Sequence, residues 1–344
     1  MMLTDVRSGA RAINQPRVVQ LQISRYNRTL PRAKDPLEFL VALHVEGTSV
    51  TWQRNAVLER DDEQRLIVSI DGLRRWSAGL GLTKPTAQAA VDDIGRTLRD
   101  TFLGSTGRTL LAELDRTALL LMVDETILHL PWEMMFDSDD RPLVLGPFGR
   151  VVTTRVMSEV GRDLPTEDPI VRILAVENPT DDLAGAERVM DAINALGTTH
   201  DDLDIRVTTL ARSKATRRGF AAAINGHDYD IIHFAGHGRF DARQPTDGAL
   251  QLADGTFTDE EVLNLRWARP PFVVVNGSCE SARTAPGVRI VSNKQRSNGL
   301  AAAFLSRGVE AYLGHYFFVD DSMAADFSDR FYSSLLRERN VGRA

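Results

Sequence analysis

From Ile170 onward the chain alternates short apolar runs with segments whose apolar residues recur at helical spacing. Ile170-Val-Arg-Ile-Leu-Ala-Val176 reads as a buried strand. After a turn at Asn178-Pro179, Ala186, Val189, Met190, Ile193 and Leu196 fall on one helical face, with Gly197 expected as the C-terminal cap. Ile205 to Leu210 alternates as a strand, and Lys214 to Ile224 reads as a helix stopped by Asn225-Gly226. Two further apolar runs follow, Asp230-Ile-Ile-His-Phe-Ala-Gly-His-Gly238 and Pro271-Phe-Val-Val-Val-Asn-Gly-Ser-Cys279-Glu-Ser-Ala282. Between them, Thr258-Asp-Glu-Glu261 has the form of a helix start, with acids near the positive end of the dipole. A helix around Leu300 to Ser306, a strand over Ala311 to Val319, and a last helix complete the pattern. That last helix carries Met323, Phe327, Phe331 and Leu335 at steps of four. Strands alternating with helices of this length imply βαβ units, a mostly parallel sheet and right-handed crossovers.

The first 160 residues follow the same class less regularly. Val18 to Ile23, Glu38 to His44, Arg65 to Ile70 and Ala118 to Val123 read as strands, the first with strict alternation. Ala87 to Phe102 is amphipathic and helical. The polar, turn-rich stretch Gly161 to Asp168 is the best boundary, giving an N-terminal α/β half over 1–165 and a second half over 166–344. No internal repeat or low-complexity tract stands out. The chain's end, Asn340 to Ala344, has the look of a helix still in progress, which is compatible with a longer native polypeptide.

Bulk composition narrows the function classes. The 344 residues are 43% hydrophobic and 26% charged, as in ordinary globular chains. A net charge of −6 gives no basic footprint for nucleic acid. No apolar run approaches the ~20 residues of a membrane helix, and Met1 to Arg17 has no signal-peptide core. A single cysteine excludes an internal disulfide and a Cys-rich metal site. A cytoplasmic protein with a free thiol and no cofactor is expected.

The chemistry concentrates at Cys279 and His237, 42 residues apart. Each closes a short apolar run, and neighbouring parallel strands bring their carboxyl ends to one edge, where ligand crevices form. If the two strands are neighbours, the residues face each other. An ordinary thiol is mostly protonated at neutral pH, and an adjacent imidazole accepts its proton to give the attacking thiolate. The backbone N–H groups of Cys279 and Gly238 are the candidate oxyanion donors. The bland alternatives stand beside this: a free cysteine is commonly a small core hydrophobe, and a turn histidine is unremarkable. His233 and His237, four apart, suggest metal ligands only on a helix; strand-then-loop argues that His233 points into the sheet and that there is no zinc site. A nucleotide-binding Rossmann fold is disfavoured, because Gly79-Leu-Gly81 lacks the third glycine and a preceding strand.

His-Phe-Ala-Gly-His237-Gly and Val-Asn-Gly-Ser-Cys279-Glu-Ser-Ala resemble the two signature segments of CHAT-domain proteases, relatives of caspases and separase. Leu128-His-Leu-Pro-Trp-Glu-Met-Met-Phe136, Gly299 to Leu305 and Phe318-Val-Asp-Asp321 resemble the flanking segments, so the likeness spans roughly 115–340. It implies a caspase-like, mostly parallel sheet with helices on both faces, preceded by a degenerate, pseudo-caspase-like half. It further implies His237 as general base, Cys279 as nucleophile, and Gly238 and Cys279 as oxyanion hole of a peptidase acting on protein substrates. Members often work with sensor modules in bacterial defence and regulation, so a separate regulator is implied. Asn276-Gly-Ser278 replaces the caspase Gln-Ala-Cys context, so aspartate specificity does not carry over, and Phe317 or Phe318 stands where a tryptophan is typical. Asp320 and Asp321 fall where separase-like enzymes grip a basic side chain, although Asp321 also suits a helix N-cap. Arg283 to Asn298 forms a long polar loop suited to a lid, a switch or self-cleavage, while Trp132 and Glu133 suit packing and anchoring. The alternative is a catalytically silent scaffold or binding subunit of the same fold.

Overall fold

The computed structural model describes residues 18–26, 35–112, 118–137, 139–153, 170–200, 203–240, 248–284, 299–342 and 344. In chain order, β1 (Val18–Arg25), β2 (Leu37–Val45) and β3 (Thr51–Leu58) form an antiparallel meander. Helices α1 (Arg60–Ser77), α2 (Lys84–Phe102) and α3 (Gly104–Ala112) follow. Then β4 (Ala118–Asp124) and β5 (Phe148–Thr153) join in parallel, giving the order β3-β2-β1-β4-β5. The strict alternation of β1 is real: Val19, Leu21 and Ile23 are buried while Gln20 and Gln22 are exposed. α1 and α2 cover that buried face with Leu66, Ile70 and Leu73 and with Ile94, Leu98 and Phe102.

Arg65 to Ile70, expected as a strand, lies inside α1. Its buried residues, Leu66, Ile70 and Leu73, are spaced for a helix, and Val68 is 59% exposed. Acids at 61–63 and Arg74 and Arg75 in the last turn complement the dipole, outweighing the local β preference of Leu-Ile-Val. The third strand is instead Thr51–Leu58, a polar edge strand with only Ala56 and Leu58 buried.

A second five-stranded sheet is wholly parallel, ordered β13-β12-β8-β6-β7. Its elements are β6 (Ile170–Glu177), α4 (Ala186–Thr199), β7 (Asp204–Ala211), α5 (Arg217–Gly226) and β8 (Ile231–Ala235). A small antiparallel sheet follows, of β9 (Gly238–Arg239), β10 (Ala249–Leu252) and β11 (Gly255–Thr258). Then come α6 (Asp259–Leu263), β12 (Val273–Asn276), α7 (Leu300–Ser306), β13 (Ala311–Gly314) and α8 (Asp321–Glu338). α4 and α8 pack on one face over Ile173, Ile231 and Val275, and α5, α6 and α7 on the other over Leu174, Ile232 and Val274. Both faces are buried, as a parallel sheet requires. The expected start of α6 is a full capping box between Thr258 and Glu261.

Several boundaries differ from the sequence reading. Gly197 lies within α4, which runs on to Thr199. A 3₁₀ turn at Arg212–Lys214 delays α5 until Thr216 caps it. β13 ends at Gly314, so 315–320 is a loop rather than strand. α8 ends at Glu338, with Arg339 left-handed at φ +52°, so 340–342 do not continue the helix. On α8, Phe331 and Leu335 are buried, but Met323 and Phe327 are 65% and 41% exposed. Gly161 to Asp168 and the loop beyond Thr284 to Asn298 lie outside the described residues.

Candidate active site

β8 and β12 are hydrogen-bonded neighbours running in parallel, with Phe234 opposite Asn276. Gly277 N extends the ladder by donating to the Phe234 carbonyl at 2.8 Å. His237 lies three residues beyond Phe234, and Cys279 three beyond Asn276, so the two leave the carboxyl edge at one level. The loops then touch. A Cβ at Gly238 would overlap Ser278 Oγ and come within 3.1 Å of the Cys279 carbonyl, so only glycine lets these backbones approach. The His237 carbonyl accepts from Gln251 N at 2.9 Å, tying the loop to β10.

The turn around Cys279 is held by buried polar groups. Asn276 Oδ1 accepts from Ser278 N at 3.0 Å and Ser278 Oγ at 2.6 Å, and Asn276 Nδ2 donates to Tyr312 Oη at 2.9 Å. Tyr312 Oη in turn donates to the Ser281 carbonyl at 3.0 Å. Ser281 Oγ donates to the Asn276 carbonyl at 3.0 Å and accepts from His315 N at 3.1 Å. Asn276, Ser278, Glu280 and Ser281 are all buried, and Cys279 between them is partly exposed. Burial raises the Tyr312 hydroxyl well above its ordinary pKa, so it stays a neutral donor. A network this fully satisfied rigidifies the turn.

His237 is 45% exposed, and its Nε2 lies 3.0 Å from Asp182 Oδ1. No motif or spacing pointed to Asp182, which sits 55 residues upstream in the turn after β6. That turn is built by Asn178, buried and left-handed at φ +39°. Its N–H donates to the Ala235 carbonyl at 2.7 Å, and its Oδ1 accepts from the N–H groups of Asp182 and Leu183. Thr180 Oγ1 donates to Asp182 Oδ1 at 2.5 Å, and this bond, with His237 adding to it, holds the carboxyl below its usual range.

His233 points into the core, as expected. Its Nδ1 lies 2.8 Å from Tyr332 Oη, and burial pushes its pKa down to about 3. Among the described residues, no group of three or more His, Cys, Asp or Glu is arranged to hold a metal. Trp132 is buried with Nε1 donating to the Ile127 carbonyl at 2.9 Å, and Glu133 pairs with Arg150 at 3.4 Å.

Asp320 is exposed at the end of the 315–320 segment, and its carbonyl accepts from Ala324 N at 3.0 Å. The capping position of α8 is therefore Asp320, and Asp321 is the first helical residue; the side chain of Asp321 lies outside the described residues. The same segment reaches the cysteine turn, the His315 carbonyl accepting from Ala282 N at 3.0 Å. A shallow crevice beside the turn is lined by Gly238, Arg239, Phe240, Glu280, Arg283 and Leu300. There the Arg283 guanidinium lies 5.0 Å from the Phe240 ring centre.

Residues 92–344 match the family profile of the CHAT domain. Comparison with curated proteins gives no match. Among solved structures 21 chains match. One is the crystal structure of the Saccharomyces cerevisiae separase–securin complex, at a TM-score of 0.52 and 10% identity. The match covers 92% of this chain and 27% of that one, so the chain spans about a quarter of its length. At that identity the likeness is one of fold, the caspase-like α/β arrangement.

Proposed function

The chain belongs to the CHAT-domain family of caspase-like proteases, and on that premise we propose that it is a cysteine endopeptidase acting on protein substrates. The observation that carries this reading is the parallel register of β8 and β12, which sends His237 and Cys279 off one sheet edge at the same level. In the first step the free imidazole nitrogen of His237 takes the Sγ proton, and the thiolate attacks the scissile carbonyl carbon. The N–H groups of Gly238 and Cys279 receive the developing oxyanion. As the tetrahedral adduct collapses, the C–N bond breaks, His237 returns its proton to the leaving amine, and a thioester remains on Cys279. Water, deprotonated by His237, then releases the acid and restores the thiol. With Nε2–H directed at Asp182, Nδ1 is the nitrogen left to act as base, so Asp182 serves as a positioning residue for the ring.

In this reading residues 166–344 form the catalytic half, and 1–165 a non-catalytic pseudo-caspase-like half. A cytoplasmic setting and a separate protein regulator in a bacterial regulatory or defence system accompany it. The reading includes no direct nucleic-acid or membrane partner. Among the described residues no helix is long and apolar enough to cross a membrane. Asp320, on the segment bonded to the cysteine turn, is proposed to favour a basic side chain at the cleaved bond, with Asp321 beside it.

The test is labelling of the purified chain by acyloxymethyl-ketone peptides varied at their first residue, read by intact mass beside Cys279→Ala. One adduct on wild type and none on the variant is expected. A wild-type chain that stays unlabelled, even with lysate supplying activators, would leave the silent scaffold.

A further inference from the structure

The last turn of α1 crosses to the cysteine turn of the other sheet. Arg74 Nε donates to Glu280 Oε1 at 2.5 Å and Nη2 to Oε2 at 3.3 Å, a two-pronged contact across 206 residues. Arg283 donates to the same Oε1. The Glu280 side chain is only 7% exposed, and its backbone is left-handed at φ +56°, a region that residues with a Cβ seldom adopt. Such a conformation persists only where its surroundings over-determine it.

The same helical turn also grips the second segment beside the cysteine. Ser77 Oγ accepts from Phe318 N at 3.2 Å, and the Arg74 guanidinium lies 5.7 Å from the Phe318 ring centre. The Phe317 carbonyl accepts from Glu280 N at 3.4 Å, joining the two gripped segments to each other. Two residues of the last turn of α1, Arg74 and Ser77, thus hold both the residue after Cys279 and the stretch leading to Asp320.

We propose that Arg74 is a positioning residue for Cys279, acting through Glu280, so that the N-terminal layer is a working part of the catalytic apparatus. The inference rests on the reading of Cys279 as nucleophile. The carboxylate of Glu280 is buried beside the thiol-bearing residue, and Arg74 and Arg283 together neutralise it. Without Arg74 one carboxylate oxygen loses its charged donor, and the left-handed turn loses its tether to α1. Cys279 and its N–H then relax away from the edge at which His237 stands. A displacement of 1 Å in a reacting group costs about 100-fold in rate.

Arg74→Gln, Arg74→Lys and wild type are compared in the full chain by two readouts. Amide hydrogen exchange of peptides spanning 276–284 and 315–320 reports the turn itself, with β6 and β8 peptides as the internal reference. Probe labelling of Cys279, the only cysteine, reports reactivity. Expected in Arg74→Gln is about tenfold faster exchange confined to the two segments, with labelling down about 100-fold. Arg74→Lys, which keeps the charge but not the fork, falls between. Unchanged exchange at both segments overturns the proposal, and so does an equal rise along the whole chain, which would mark a general structural role. If Arg74→Gln fails to fold, Arg74→Lys decides by the same criteria. If wild type takes no probe, the peptidase reading falls, and the exchange data still decide whether Arg74 holds the turn.

Discussion

Two five-stranded sheets in one chain meet water differently. The C-terminal sheet is all parallel and buried on both faces, so its central strands are continuous buried runs, Ile231–Ala235 and Val273–Asn276, while the edge strand β7 alternates with exposed residues. The N-terminal sheet has an antiparallel edge, β1–β2–β3, and on its far face Gln20, Gln22 and Glu38 are exposed. Their carboxyl ends differ as well. After β4, Asp124 accepts from Thr126 N and Oγ1 at 2.9 and 2.6 Å, and Trp132 fills the space against Phe102 with ring centres 4.9 Å apart. His129 there is buried and held neutral, pushed down to about 4 by burial. After β8 and β12, polar backbone turns leave His237 and Cys279 reachable from solvent. A strand end becomes a site when its turns are pinned without being filled, and the fold by itself does not decide which end that is.

The contrast can be broken most severely at Cys279. Cys279→Ala and His237→Ala are each expected to lower peptide turnover by about 10⁴-fold or more, since the members of a nucleophile–base pair act as a unit. Activity retained in Cys279→Ala would move the site elsewhere. At the filled edge, Trp132→Ala should cost about 3–5 kcal/mol in urea unfolding, with residual labelling tracking how far the two layers unfold together. A change under about 1 kcal/mol would mean the edge is not closed by packing.

Acid tests the two fully buried histidines. His129 and His233 are held neutral by burial, at about 4 and about 3, whereas the unfolded chain protonates them near 6.5. Protons therefore favour the unfolded state. Stability is full above about pH 6.5 and is lost as pH falls towards and through the two folded values. Urea midpoints that hold constant from pH 7 to pH 4.5 would contradict this.

Smaller effects sharpen the open edge. Asp182→Asn should lower turnover by about tenfold and alter the shape of the pH–rate profile. The pair is exposed, so the loss is far below that of a buried orienting acid. A profile unchanged in both height and shape would remove Asp182 from the mechanism. Least of all, Asp320→Asn should narrow the Arg-over-Leu ratio in reporter peptides by about threefold, as loss of one exposed charge pair would. An unchanged ratio ends the basic preference.

The strands that carry the candidate site were legible as apolar runs, because a buried parallel strand must be continuous in hydrophobic residues and must end in a turn. β6, β8 and β12 follow from that rule, whereas the pairing of the His237 and Cys279 runs was only a condition in the sequence and is decided by the sheet order. The same rule misled at Arg65 to Ile70, where three adjacent apolar residues hide a helical stripe, and at Ala311 to Val319, where Tyr316 and Phe317 continue past the strand to pack against the core of the N-terminal sheet. Thr51–Leu58 was invisible because an edge strand with one wet face needs few apolar residues.

Local pattern alone thus determined the alternation of strands and helices, the parallel class of the second half and the two residues at its sheet ends, since burial and periodicity act over a few neighbours. Asp182 beside His237, and Arg74 on Glu280, join residues 55 and 206 positions apart through polar contacts that carry no period. Hydrogen bonds and ion pairs depend on where two surfaces finally meet, and only the tertiary structure decided that.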